Sequence, residues 1–387
     1  LISMIGFSSV VPFLPLYVKS LGTSTSMSEA VCITLVFSGH AFTMMIASPI
    51  WGSLADRYGK KIMVERAIFC GAIILALMAF ARSAEELVLL RMLQGASSGI
   101  LGAANALVAS TAPREKTGFA MGLMQVSMGV GLAFGPILGG TIADLFNYQA
   151  VFYLTAVMII LAVFFVIRFV DEQAFPSLQK TTKNPKFIDA WRKVLRTQSV
   201  SFLYFLRFIN QMGRVTFLPI LPIFILSIID TPDKINSFTG VVVGLSSVAT
   251  AVFSVFIGRV GDRIGHQPIV KVSLFMAGIS FLLHCWVQNG WQLIILQMFY
   301  GAALGGVMTS VSALLALFTE KGTEGSVYGL DSSITSSARV VGPMLCLFIS
   351  SLFVLRVVFG VAGGLYLFAA TLTVIYLKNR GGEACSS

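Results

Sequence analysis

Long apolar runs are the feature of this sequence that most constrains its fold. A helix needs about 20 mainly apolar residues to cross the hydrocarbon core of a bilayer, and twelve runs of about that length follow one another along the chain. Because the bilayer core offers no water to backbone groups, a spanning segment must be a helix or a strand of a closed barrel. These runs are continuously apolar and lack the alternation of barrel strands. The sequence therefore predicts an all-α membrane protein with twelve transmembrane helices.

Composition supports this prediction. Apolar residues make up 56% of the chain and charged residues 11%, whereas charged residues make up about 25% of an average soluble domain. A soluble globular protein is therefore excluded. We number the predicted helices as spans 1 to 12, and they cover residues 1–20, 28–55, 61–81, 84–109, 117–143, 148–169, 200–229, 235–258, 268–287, 290–318, 325–350 and 354–377.

The basic residues follow the expected membrane topology. Most of the 27 lysines and arginines lie in the segments after spans 2, 4, 6, 8 and 10 and in the C-terminal tail. Cytoplasmic loops carry such an excess, so we expect both termini in the cytoplasm. Basic loops beside anionic lipids then account for the net charge of +10. The expected surroundings are a lipid bilayer and not a nucleic acid.

The two halves of the chain repeat each other. Landmark residues recur at a nearly constant spacing of 206 or 207 positions, which indicates two homologous six-helix bundles. We predict an N-terminal bundle over residues 1–170, a polar cytoplasmic linker over 171–198, and a C-terminal bundle with a short tail over 199–387. The matched landmarks are Pro12 with Pro219, Gly52 with Gly258, Gly95 with Gly301, Gly135 with Gly342, and Val151 with Val358.

A compact motif lies between spans 2 and 3, from Gly52 to Lys61, and a degenerate copy runs from Gly258 to His266. Its glycines permit close helix packing and a tight turn, and an aspartate stands at the membrane edge before a cluster of cations. This pattern resembles the signature loop of the major facilitator superfamily of secondary transporters. The resemblance implies a conformational gate formed by Gly52, Asp56, Arg57, Gly59, Lys60 and Lys61, together with Asp262 and Arg263 of the second copy.

Two further motifs narrow the resemblance. Span 4 contains the sequence Arg91-Met-Leu-Gln-Gly about two turns from its start, and span 5 contains Gly-Leu-Ala-Phe-Gly-Pro-Ile-Leu-Gly-Gly from Gly131. Both resemble elements of the drug:proton antiporters of that superfamily, in which the arginine assists proton transfer or tunes a carboxylate. Glycines four residues apart make a smooth helix face for close approach, and a proline bends the helix. The antiporter-motif residues are Gly131, Gly135, Pro136, Gly139 and Gly140.

Together the motifs resemble the twelve-helix drug:proton antiporters of the multidrug-efflux branch. The resemblance implies the major facilitator fold, two pseudo-symmetric six-helix bundles with a substrate cavity near the midplane and alternating access. It also implies a proton-coupled exporter of small amphipathic molecules, monomeric, in a bacterial inner (plasma) membrane. The partners expected from it are the small-molecule substrate and protons.

The chain departs from this family in its intramembrane acids. Span 1 carries no carboxylate, and among 17 acidic residues only Asp331 lies well inside a span. We therefore predict that Asp331, tuned by Arg91, couples transport to protons. The alternative is that Asp331 is a structural partner of an intramembrane arginine such as Arg339. Those two residues are about 12 Å apart along a helix at ~1.5 Å per residue, which argues against a direct pair.

Polar residues in the spans are candidates for binding the substrate. A polar stripe runs over two turns of span 7 and consists of Arg207, Asn210, Gln211 and Arg214. Such a stripe should face a cavity instead of lipid. The arginines among these candidates favour anionic or zwitterionic substrates, unless they bond to backbone carbonyls or lie at the cytoplasmic mouth. The substrate-binding candidates are Arg207, Asn210, Gln211, Arg214, Arg339, Gln125 and Gln297.

Two alternatives stay open at this point. The chain could export one organic anion, such as a siderophore or a metabolite, in which case Asp331 could be structural, or it could be a lipid flippase of the same fold. A transporter-like receptor is disfavoured because no long additional domain is visible. An enzyme is not expected, since the sequence shows no Ser-His-Asp set and no phosphate-binding loop. Neither a cofactor nor a metal is expected, because the cysteines are scattered without ligand spacing.

Overall fold

A computed structural model describes residues 1–98, 104, 107–108, 117–169, 198–229, 234–317 and 324–381. All regular secondary structure in these ranges is helical, as predicted. The helices are α1 (Ile2–Val10), a 3₁₀ turn (Val11–Phe13), α2 (Leu14–Leu21), α3 (Glu29–Tyr58), α4 (Lys60–Met78), α5 (Ala84–Ser97), α6 (Thr117–Leu145), α7 (Tyr148–Phe169), α8 (Gln198–Thr216), α9 (Leu221–Leu226), α10 (Ile235–Ile264), α11 (His266–His284), α12 (Gly290–Leu317), α13 (Glu324–Leu352) and α14 (Leu355–Gly381).

Nine helical segments within the described ranges are long and apolar enough to cross a membrane. They correspond to the predicted spans other than 3, 4 and 7. In span 4, α5 ends at Ser97, and most of the predicted remainder lies outside the described residues. Span 3 begins with the cationic start of α4, and span 7 is divided into α8 and α9. The count of twelve transmembrane helices therefore remains a prediction.

Predicted spans 1 and 7 each contain an irregular turn near a proline. Span 1 is interrupted by the 3₁₀ turn at Pro12, and span 7 leaves the α-helix between Thr216 and Leu221, around Pro219. Proline lacks a backbone N–H and clashes with the preceding turn, so it breaks helices. Span 1 stays one helical segment from Ile2 to Leu21, whereas span 7 is divided into two helices. The irregular turns lie near the equivalent prolines of the two halves.

The described residues belong to two compact units. The first unit contains Leu1–Thr182 and Pro219–Gly244, and the second unit contains Lys183–Leu218 and Leu245–Ser387. The first unit thus includes α9 and the N-terminal third of α10. The predicted linker, 171–198, lies outside the described residues apart from its last residue. The predicted domain boundaries therefore stay a prediction.

The internal repeat is visible in the helix lengths. The helices α3 and α10 each have 30 residues, α4 and α11 each have 19, and α6 and α13 each have 29. A single glycine joins α3 to α4 and another joins α10 to α11: Gly59 has φ 103° and Gly265 has φ 89°. Residues other than glycine rarely adopt such values of φ. The tight turn predicted for the motif is therefore present in both copies.

Equivalent glycines also make equivalent close approaches. A Cβ on Gly95 would overlap the carbonyl oxygen of His40, and a Cβ on Gly301 would overlap that of Ser246. The two glycines are 206 residues apart, and so are the two residues they approach. Small residues let helix backbones approach closely in membranes. At these glycines, α5 therefore packs on α3 in the same way as α12 packs on α10.

Large apolar side chains cover the outer surface of several helices. On α7, Phe164, Phe165 and Ile167 are all about half exposed or more. Exposed apolar patches of that kind are rare on soluble monomers and mark interaction surfaces. Here they suit contact with lipid chains, which agrees with the composition.

Candidate functional site

The acidic residue that lies well inside a predicted span is paired with an arginine. Asp331 of α13 accepts two hydrogen bonds from Arg207 of α8, with a Nε–Oδ1 distance of 2.9 Å and a Nη2–Oδ2 distance of 3.2 Å. The Arg207 side chain is 16% exposed and that of Asp331 13%. Paired hydrogen bonds between guanidinium and carboxylate fix geometry and are among the stronger polar interactions. This pair therefore joins α8 to α13.

A second layer of charge lies farther along the same two helices. Arg214 is seven residues beyond Arg207, and Arg339 is eight beyond Asp331, or about 10–12 Å at ~1.5 Å per residue. Both arginines are half-buried. Like charges on two packed helices disfavour each other. The first layer is thus neutral, and the second carries two positive charges.

A close crossing of α8 and α13 lies next to both arginines in the chain. A Cβ on Gly342 of α13 would overlap the Val215 side chain of α8 and press on the carbonyl oxygen of Met212. Gly342 lies one turn after Arg339, and Val215 directly follows Arg214. The contact at Gly342 therefore holds the second layer at the seam between α8 and α13.

Two tyrosines border the second layer. The Tyr366 hydroxyl donates to the carbonyl oxygen of Asn210 at 2.9 Å and lies 3.1 Å from the Tyr300 hydroxyl. A Cβ on Gly213 would press on the Tyr366 ring. Hydroxyl groups from α12 and α14 therefore lie against α8 about one turn before Arg214.

The two arginines of the second layer have no carboxylate partner within the described part of the chain, and neither does Arg91. The ion pairs in that part of the chain are Lys61 with Glu65, Arg207 with Asp331, and His266 with Asp262.

The predicted glutamines have different settings. Gln211 and Gln297 are both buried, at 8% and 2% exposure. Within the described ranges, the Gln297 Nε2 has no hydrogen-bond partner. The Gln125 side chain lies outside the described residues.

Three residues of the Arg91–Gly95 motif in span 4 make contacts that explain the motif. Arg91 is buried, donates from Nε to the Val36 carbonyl oxygen at 3.3 Å, and donates from Nη1 to the Gln94 Oε1 at 2.5 Å. Gly95 leaves room for the backbone of α3. The glutamine therefore orients the arginine, and the glycine lets α5 approach close enough for the arginine to reach Val36.

The glycine motif of α6 has two packing faces. One face, consisting of Gly131, Gly135 and Gly139, lies against the backbone of α1 from Met4 to Ser9. The other face meets α10: a Cβ on Gly140 would overlap the Asn236 carbonyl oxygen, and one on Gly240 would overlap that of Pro136. Each face brings backbones together, as the spacing of the motif predicts. Pro136 lies inside α6.

The residues predicted to form the gate are only partly described. The side chains of Asp56, Arg57 and Lys60 lie outside the described residues, and of Gly52 only the helical backbone is given. Lys61 lies 3.7 Å from Glu65 and donates to the Ile167 carbonyl oxygen at 3.3 Å. In the second copy, Asp262 lies 3.4 Å from His266, and Arg263 is exposed.

Sequence reasoning missed one polar contact in the first unit. Asp144, at the end of α6, accepts hydrogen bonds from the backbone N–H groups of Asn236 and Ser237 at 3.2 and 2.6 Å. It also accepts from the Asn236 Nδ2 at 2.7 Å. The two backbone N–H groups lie in the first turn of α10, where they have no partner within the helix and where a carboxylate is favourable. The only signal in the sequence was an aspartate near one helix end and a polar pair near another.

The helical architecture, the two repeated halves and the intramembrane arginines define a multi-pass integral membrane protein of the transporter class. The family model of the Major Facilitator Superfamily matches residues 1–206 and 203–384. The chain therefore belongs to the major facilitator superfamily.

Named relatives agree with this assignment. The multidrug resistance protein MdtG of Enterobacter lignolyticus is 32% identical over 378 residues, which cover 98% of this chain and 90% of that protein. The MdtG of Salmonella paratyphi A is 32% identical over 374 residues, covering 97% and 92%. A mutant of the nucleoside transporter NupG is similar in fold, with a TM-score of 0.76, 14% identity and coverage of 97% and 98%.

Proposed function

We propose that this protein is a proton-coupled antiporter that exports small amphipathic molecules by alternating access. The two relatives named multidrug resistance proteins support export of the multidrug-efflux type. The complete antiporter motif of α6 is a second support. The single observation that carries proton coupling is the Arg207–Asp331 pair, because it places a titratable carboxylate and its counter-charge inside the predicted membrane region.

The pair suggests how a proton would act. An ionised Asp331 accepts both hydrogen bonds of Arg207, whereas a protonated Asp331 loses the charge that holds the guanidinium. Proton binding would thus weaken the connection between α8 and α13. A ligand drives such a cycle only through different affinities for the two states. Substrate binding would favour the state in which Asp331 has released its proton.

Other residues have supporting roles in this proposal. Arg91 remains the second member of the coupling group, oriented by Gln94. The cavity side chains would come from the polar stripe of α8 and from Arg339, with Gln297 and Gln125 as further members. The motif residues from Gly52 to Lys61, with Asp262 and Arg263, would gate the cytoplasmic side. We place the protein as a monomer in a bacterial inner membrane with both termini cytoplasmic.

Inside-out vesicles test the proposal. We expect an imposed proton gradient, acidic inside, to drive accumulation of a fluorescent amphipathic dye, and we expect a protonophore to abolish it. Vesicles from cells without the gene are the control. Accumulation that is unaffected by the protonophore, or equal in the control vesicles, would contradict proton-coupled export.

A further inference from the structure

The α8–α13 seam contains two positive charges that the described part of the chain does not neutralise. Arg214 and Arg339 lie one layer beyond Arg207, and the close crossing at Gly342 holds the two helices together there. Arg214 and Arg339 are each half-buried as whole residues. Two like charges on neighbouring, closely packed helices disfavour each other.

Such an arrangement is costly without a ligand. Charged side chains within a membrane helix are expensive and almost always face partners or a water-filled cavity. In the first layer, Asp331 forms an ion pair with Arg207 and neutralises its charge. The second layer has tyrosine hydroxyls nearby but, within the described ranges, no acid. An anion placed between the two arginines would remove both the repulsion and the unpaired charge.

We propose that Arg214 and Arg339 form a binding site for the anionic head group of the transported molecule, a carboxylate, a phosphate or a phosphonate. This inference rests on the proposed transport function and adds the substrate class. Arginine suits such groups because its planar fork donates two parallel hydrogen bonds to one carboxylate or phosphate. Two arginines can bind a doubly charged head group and repel a cation of the same size.

The contrast between the layers makes the site specific. Arg207 is occupied by a carboxylate of the chain, whereas Arg214 and Arg339 are available to a ligand. The substrate anion in the second layer would thus play the part that Asp331 plays in the first. Exchange of a proton for an anion would change the charge of both layers of one helix seam.

Binding measurements on the purified full chain test this site. The probes are phenylphosphonate and benzyltrimethylammonium, which share an aromatic ring and differ in the sign of charge, and the protein is held in phosphatidylcholine nanodiscs. We expect phenylphosphonate to bind, and Arg214→Gln and Arg339→Gln each to weaken it at least tenfold. The matched control is Arg82→Gln, an exposed arginine before α5, which should bind as the parent does.

Further arms separate folding failure and lipid from the proposed ligand. Arg339→Lys keeps the charge, and we expect it to melt like the parent but to bind phenylphosphonate less tightly, because lysine lacks the planar fork. Nanodiscs with phosphatidylglycerol should leave phenylphosphonate affinity unchanged. If phosphatidylglycerol competes with the probe and co-purifies with the parent but not with the double glutamine variant, a lipid head group occupies the site and the proposal is wrong.

Other results would also overturn it. Equal phenylphosphonate affinity in the parent and both glutamine variants, or tighter binding of benzyltrimethylammonium, would show that the arginines do not select an anion. Dye export in vesicles reports on the proposed function separately. Intact export without anion binding would contradict only the proposed anionic substrate class. Anion binding without proton-driven export would contradict only the proposed transport function.

Discussion

Arg207 of α8 and Asp331 of α13 are joined by two hydrogen bonds of 2.9 and 3.2 Å. The residues are 124 positions apart, so this contact depends on the packing of the two helices and not on local sequence. It gives the intramembrane carboxylate a defined partner. It also neutralises Arg207, one of the two arginines of the polar stripe.

A double-mutant cycle measures this pair. Either Arg207→Gln or Asp331→Asn should lower the melting temperature of the purified protein, because each leaves a charged partner without its counter-charge. The double variant should be less destabilised than the sum of the two, by an interaction of about 0.5–3 kcal/mol, the range found for contacting residues. Additive losses would mean that the pair does not form.

The glycine contacts predict equal sensitivity in the two halves. Gly95→Ala and Gly301→Ala should each destabilise the protein by about 1–3 kcal/mol, the usual cost of overpacking, because each added Cβ would overlap a backbone carbonyl. The control is Gly364→Ala, where no atom lies within 4 Å of the added Cβ. Thermal unfolding of the purified variants is the measurement. If all three variants melt together, the close approaches are not present.

Asp144 is predicted to stabilise the start of α10. Asp144→Ala removes the acceptor of three hydrogen bonds and should cost about 1 kcal/mol, the typical value for a lost helix cap. Asp144→Asn keeps a side-chain acceptor and should cost less. The melting temperatures of the two variants decide the matter. An asparagine variant as unstable as the alanine variant would assign the effect to charge alone.

The sequence predicted the parts of this structure that depend on local pattern. Apolar runs predicted helices, and the spacing of Gly131, Gly135 and Gly139 predicted a face for close approach. The prolines of spans 1 and 7 were visible, but the helix breaks were not predicted, because proline can also bend a helix without ending it. Local signals were strongest where backbone geometry decides the outcome.

Partner choice could not be predicted in the same way. Helix spacing argued against a pair between Asp331 and Arg339, and the structure pairs Asp331 with Arg207 instead. Nothing in the sequence ranked the intramembrane arginines as partners, because ranking them requires the register of α8 on α13. The contact of Asp144 with α10 was missed for the same reason. Both depend on tertiary packing between segments far apart in the chain.

The central claim is that Asp331 couples transport to protons, and proton movement in inside-out vesicles tests it most directly. After a proton gradient is imposed, anionic and cationic substrates are added separately to vesicles containing the parent protein or Asp331→Asn. We expect substrate to release protons from parent vesicles and to release none from the variant, which cannot lose a proton at this position. An Asp331→Asn variant that still exchanges substrate for protons at the parent rate would contradict the account.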